Sequence, residues 1–298
     1  MKRLPFKKID AFVTTGSDGN PAGYIRLDAK SDITEGEMLK IAGELKGFVN
    51  EVGFVTRTSG ASFDLRYYSS EREVDFCGHA TIAIFHDLLR NDPGLAKHQA
   101  LAITTKRGEL EVENRIAEED AVFIMAPLPE RHAITVSTPD VARHLKLRAD
   151  DIDDRYPISA INAGLTTLLV PLRSLDSILA MAPDFDELKE FCLDAGADII
   201  EVFTPDVADG RNDFRVRVFA PTFGYLEDPA TGSGNSAFGY YLIESERFDR
   251  DTVRIEQNGE RERFNLVKLR RRRDARGRER VLFGGGAITR IEGEYLLY

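Results

Sequence analysis

Four side chains in this sequence stand where proton chemistry could be done: Glu51, His79, Asp228 and Ser233. Glu51 lies in the otherwise apolar stretch "FVNEVGFV". Burial raises a carboxyl group's pKa and suits it to general acid/base work. The alternation Val49-Glu51-Gly53-Val55 argues against a wholly solvated face. His79 follows Gly78 in "CGHATIAIFHDLL", and Ser233 follows Gly232 in "LEDPATGSGNSAFGYYL", residues 226–242. In both, a loop opens into an apolar helix. The first N–H groups of a helix lack internal partners, and the helix dipole is positive there. Glycine lets a ligand approach the backbone closely, so such a mouth binds carboxylate or phosphate. If the halves face each other, the two mouths would hold one anionic small molecule from both sides. At a helix start His79 is expected to be biased toward its neutral form. Glu227 is a further candidate proton carrier, and Asp228, just before Pro229, could cap the following turn.

Each feature has a plainer reading. Glycines there also make tight turns and let a helix pack on a strand, and a strand glutamate commonly faces solvent. Two matched mouths, each followed by a polar side chain, are what point to function.

The elements that must position these residues recur in order. "PAGYIRL" precedes a helix capped at Thr34, with Glu37 in its first turn; then come "FVNEVGFV", "LRYYSS" and "CGHATIAIFHDLL". "GLTTLLVPL" precedes a helix capped at Asp184, with Glu187 following; then come "ADIIEVFT", "VRVFAP" and "TGSGNSAFGYYLI". Glu51 matches Glu201, and Gly78 matches Gly232. This order predicts a duplication. "ATIAIFHDLL" and "SAFGYYLI" are apolar on nearly every side, and such a helix must be buried all round. A sheet curled around each one satisfies that. The expected fold class is α/β (α+β), with two similar halves, each a curved mixed sheet or barrel around a central apolar helix. The N-terminal half is expected at 1–125, possibly joined by the last strand at about 288–298, and the C-terminal half at 126–287.

Composition narrows the class. The chain has 298 residues, 42% of them hydrophobic, and a net charge of −10. That charge disfavours a general nucleic-acid or acidic-membrane role. No apolar run approaches the ~20 residues needed to span a bilayer, and "MKRLPFKKIDAF" lacks the apolar core of a signal peptide. Two cysteines, Cys77 and Cys192, are too few for a disulfide framework, so a reducing cytoplasm is expected. The five histidines show no paired metal spacing, and no zinc site is expected. The run "LRRRRDARGRER", including Arg270 to Arg280, reads as a solvated hairpin tip; its alternative is docking to nucleic acid or an acidic partner.

These stretches resemble the phenazine-biosynthesis PhzF-like isomerase family over nearly the whole chain. "IDAFVTTGSDGNPAGYIRL" resembles its opening strand and Gly-Asn-Pro segment, and "LKGFVNEVGFV" the segment carrying its catalytic glutamate. Cys-Gly-His-Ala-Thr and Glu-Asp-Pro-Ala-Thr-Gly-Ser resemble its two strongest motifs. The resemblance implies a diaminopimelate epimerase-like fold with the active site between two α/β halves. It implies that Glu51 takes and returns a proton, and that His79, Asp228 and Ser233 hold or polarise the substrate. Gly78 would contact the substrate carboxylate through its backbone; Gly232 and Asn20 join it as candidate substrate-binding residues. No cofactor or metal is implied, and a homodimer is. Three departures stand out: Asn50 replaces the usual Ser or Thr before the glutamate, Gly234 replaces the usual Ala after Thr-Gly-Ser, and "IEQNGERERFNL" only loosely resembles the family's usual Gln-Gly and Gly-Arg segment.

The expected function is cofactor-independent proton movement on a small carboxylate. One alternative is a two-cysteine racemase or epimerase of the same fold. It needs a thiol at each helix mouth, and only Cys77 stands at one, Cys192 reading as a core residue. A non-catalytic metabolite-binding protein is the other alternative.

Overall fold

A computed structural model describes residues 1–298. In chain order the elements are strands β1 (Lys2–Ala11) and β2 (Asn20–Leu27), helix α1 (Glu35–Glu44), strands β3 (Glu51–Ser59), β4 (Ser62–Ser69) and β5 (Glu73–Val74), and helix α2 (Gly78–Asn91). Strands β6 (Ala100–Thr105) and β7 (Gly108–Arg115), the short helix α3 (Ile116–Glu119) and strands β8 (Ala121–Met125) and β9 (Glu130–His132) follow. Then come α4 (Thr138–His144), β10 (Ser159–Asn162), β11 (Thr166–Pro171), α5 (Leu175–Ala180) and α6 (Phe185–Ala195). The chain continues with β12 (Ile199–Thr204), β13 (Phe214–Phe219), β14 (Glu227–Asp228), α7 (Gly232–Glu244), β15 (Thr252–Gln257), β16 (Asn265–Arg273), β17 (Glu279–Gly285) and β18 (Ala287–Leu297). They form two units. One comprises residues 1–13, 18–125 and 284–298; the other comprises 14–17 and 126–283. The segment 14–17 joins the second because Thr14 donates to the Phe264 carbonyl at 2.7 Å and Arg263 to that of Gly16 at 2.9 Å.

In the first unit β1 pairs antiparallel with β2, β2 parallel with β3, β3 antiparallel with β4, β4 parallel with β6 and β6 antiparallel with β7. The second unit repeats this sequence of pairings through β10, β11, β12, β13, β15 and β16. The register repeats too: Glu51 lies between Ala22 and Ser69, and Glu201 between Leu169 and Val218. The duplication read from the sequence is therefore a duplication of topology.

Each unit is built around one helix. Ala80 through Leu89 of α2 are all buried, and α2 packs on β1, β2, β3, β8 and β18. In α7 Gly232 and every residue from Gly234 to Leu242 are buried, against β10, β11, β12 and β16. Buried runs of ten residues in α2 and nine in α7 leave no solvent face, so each helix serves as the axis of its sheet. Their polar residues find partners, as buried polar groups must. Thr81 donates to the Cys77 carbonyl at 2.6 Å and Asn235 to that of Thr231 at 2.8 Å.

Two readings of extent change. "FVNEVGFV" becomes strand only from Glu51 on, with Asn50 outside it donating to Asn20 Oδ1 at 3.0 Å. "RVLFGGGAITRI" is two strands interrupted at Gly286, whose carbonyl accepts from Phe12 N at 2.8 Å. The basic run forms β16 and the turn into β17, where Asp274 accepts from the Arg276 and Arg278 backbone and from the Arg278 guanidinium. Acids interleaved with the arginines make it a solvated hairpin tip.

Candidate active site

The helix starts differ in a way that bears on ligand binding. Helices α1, α4, α5 and α6 have side-chain caps from Thr34, Ser137, Ser174 and Asp184. Neither Cys77 at the start of α2 nor Thr231 at the start of α7 supplies one. Orphan N–H groups with a positive dipole are thus left at the two mouths singled out from the sequence.

In the first unit three side chains meet at the α2 mouth. Glu51 opens β3, Cys77 precedes the first turn of α2, and His79 is its second residue. Glu51 Oε2 lies 3.2 Å from His79 Nε2 and 3.8 Å from Cys77 Sγ, which is 3.5 Å from His79 Nδ1. The side chains of Glu51 and His79 are 23% and 13% exposed, shielded yet reachable. Gly78 lies between Cys77 and His79, half-buried. Asn20 is buried at the start of β2, held by Asn50.

The expectation that His79 is biased to neutrality is corrected. Burial opposes its charge, but the Cys77 sulfur and the Glu51 carboxylate outweigh it, and its pKa is raised well above the ordinary histidine value. Burial raises the Cys77 thiol pKa as well, against the lowering effect of His79. A cavity of about 710 Å³ in the same unit, lined by residues including Tyr24, Arg26 and Asp87, contains none of the three.

In the second unit Asp228 ends β14 and accepts from the Thr231 hydroxyl at 2.6 Å. This contact draws the Thr231 side chain away from capping α7. Gln257 braces the turn: its Oε1 accepts from Thr231 N at 3.0 Å and Asn235 Nδ2 at 2.8 Å, and its Nε2 donates to the Asp228 carbonyl at 3.0 Å. Ser233 is half-buried in the first turn of α7. Gly232 is buried, and a Cβ there would meet the Phe283 ring at 2.5 Å, so packing alone forbids a side chain.

Glu227 leaves the set of proton carriers. Arg217 holds it with two hydrogen bonds of 3.0 and 2.8 Å, and the pair is structural. Cys192 belongs to the hydrophobic core on α6, its thiol pKa pushed up to about 12 by burial. No second thiol therefore stands at the α7 mouth.

Sequence reasoning missed Gln257 and the company Cys77 keeps. For Gln257 a signal existed: it continues the buried alternation Val253-Ile255 on β15 as a polar residue in a core row. Glu201 is the other surprise. It matches Glu51 in register, yet it is fully buried and neither carboxyl oxygen has a hydrogen-bond partner. Burial raises its pKa well above the ordinary carboxyl value. A Cβ on Gly234 would lie 2.5 Å from its Oε2. The glycine that departs from the family pattern thus makes room for this acid.

The comparisons with known proteins agree with this architecture. A Bacillus subtilis (strain 168) protein described as an uncharacterized isomerase is 30% identical over 298 residues, covering 98% of this chain and 99% of its own. The crystal structure of a Bacillus anthracis phenazine biosynthesis protein of the PhzF family superposes with a TM-score of 0.86 at 27% identity over the whole of both chains. A hydroxyproline epimerase from Agrobacterium vitis shares the fold, with a TM-score of 0.58 at 12% identity over 99% of this chain and 91% of that one. The sequence model of the family described as phenazine biosynthesis-like protein matches residues 9–293. The chain belongs to that family, and it is an isomerase.

Proposed function

We propose that the protein is a cofactor-independent isomerase that moves a proton on a small carboxylate substrate, with Glu51 as general base and then acid. The observation that carries this reading is the Glu51–His79 pair at 3.2 Å, at a helix mouth without a cap. A carbon acid needs a base beside its proton and a stabiliser for the charge that develops. Glu51 supplies the base. The orphan N–H groups of α2 and the His79 imidazolium supply positive charge for the substrate's carboxylate or enolate. Glu51 takes the proton from carbon as the electron pair moves along the conjugated system, and returns it at a different carbon. Atoms and charge balance without an outside oxidant. In the second unit Ser233, Gly232 and Asp228 stand at the α7 mouth as its own candidate ligand-binding groups. The same reading includes a homodimer and a cytoplasmic setting, which suits two free thiols; no helix is long and apolar enough to cross a membrane.

The test is incubation with dihydroaromatic and amino-acid-like carboxylates in deuterium oxide, following label into carbon. Glu51→Gln should slow incorporation by roughly 10²–10⁴-fold, the usual contribution of a positioned base. Equal exchange by variant and parent would overturn the assignment. The two-cysteine alternative predicts that Cys77→Ala is inactive; the present reading predicts that exchange persists.

A further inference from the structure

Glu51, Cys77 and His79 offer a carboxylate, a thiol and an imidazole, and the proposed proton transfer uses only the first and third. Their donor atoms nevertheless converge. Glu51 Oε2 is 3.2 Å from His79 Nε2, and Cys77 Sγ is 3.8 Å from that oxygen and 3.9 Å from that nitrogen. A tetrahedral ion with bonds of about 2.0–2.1 Å to nitrogen and oxygen and about 2.3 Å to sulfur places its ligands roughly 3.4–3.6 Å apart. The three separations depart from this by no more than about 0.4 Å, a shift within reach of side-chain rotation.

We infer that these three residues form a binding site for a borderline-soft divalent cation, Zn²⁺ in the first instance. The donor set selects the ion: thiolate with imidazole suits zinc, whereas magnesium and calcium require oxygen throughout. His79 comes from the first turn of a buried helix, Cys77 is the residue just before that helix and Glu51 stands at the start of β3, so the geometry is held by the fold. Water completes the fourth position. Binding takes the proton from the Cys77 thiol and any proton from the ligating His79 nitrogen, and these protons leave to solvent. A metal here occupies the Glu51 oxygen that would carry the substrate's proton. The metal-bound and proton-carrying states therefore exclude each other, a consequence that rests on the function proposed above. The search for His–His spacing in the sequence could not reveal a site built from three different residue types.

The experiment uses the purified full chain, treated with chelator, dialysed and titrated with Co²⁺ as an optical probe and then with Zn²⁺. The expected result is a near-ultraviolet thiolate-to-cobalt band that saturates at about one equivalent and is displaced by Zn²⁺. Cys77→Ser should abolish the band, and His79→Gln should weaken binding at least tenfold. Cys192→Ser should leave both unchanged. Far-UV circular dichroism confirms that each variant is folded. The inference is overturned if wild-type protein shows no band, if the band survives Cys77→Ser or disappears in Cys192→Ser, or if a thousandfold excess of Mg²⁺ displaces the cobalt. Binding is read without substrate, so failure of the metal site and failure of the Glu51 assignment are seen separately.

Discussion

Glu201 gives the sharpest test of the packing described above. Its side chain is wholly buried with both oxygens unpaired, and burial holds its pKa well above the ordinary carboxyl range. In the unfolded chain the group ionises normally. At pH values between those limits the folded state holds one proton that the unfolded state has released. Stability must then fall as pH rises, by about 1.4 kcal/mol per pH unit for one group. The sign is that of any raised acid: the contribution is intact below the unfolded pKa and disappears as pH climbs through the folded one. Glu201→Gln keeps the shape and cannot ionise. Above the ordinary carboxyl pKa, and up to the raised folded one, the stability of Glu201→Gln relative to the parent should therefore rise with pH by about 1.4 kcal/mol per unit. The chain has no tryptophan, so urea unfolding is followed by far-UV circular dichroism at a series of pH values. Parallel profiles, with a gap constant to within about 0.5 kcal/mol, would refute the claim that Glu201 is buried as a neutral acid.

Gly234→Ala places a methyl group against Glu201 Oε2 at 2.5 Å and Ile199 Cδ1 at 3.2 Å, and should destabilise the protein by about 1–3 kcal/mol. Combined with Glu201→Ala the cost should be much less than the sum, as a double-mutant cycle by urea unfolding would show. Gly53→Ala drives a methyl group into Ile84 Cδ1 of α2, with an expected cost of similar size on the same assay. Ser233→Ala should raise KM more than it lowers kcat, because the serine is assigned to binding; a pure kcat defect would contradict that role.

The parts legible in the sequence were those governed by neighbours along the chain. Thr34 and Asp184 cap their helices as the first-turn acids suggest. The two helices apolar all round announced that each must be enclosed. What escaped was set by distant contacts. "DIIEVFT" gives no sign that Glu201 is sealed: all six residues of β12 are buried, because α7 packs against that strand and α5 packs against it too. The Arg215–Glu256 pair, fully buried at 3.0 Å, joins positions 41 residues apart and has no local pattern. The raised pKa of His79 comes from Cys77 and from Glu51 on a separate strand, neighbours that the dipole argument left out.

The pairing of β1 with β18 has a consequence for how the molecule is made. Lys2 lies opposite Leu297 and Ala11 opposite Ala287, so β1 is closed by a strand far along the chain. A pairing of such sequence separation forms slowly, because the loop between the partners must be ordered before the contact rewards it, and this closure is a late step of folding. The same adjacency brings Lys2 and Leu297 side by side, so a short linker could join them while the chain is opened at the exposed Asp274–Arg278 turn.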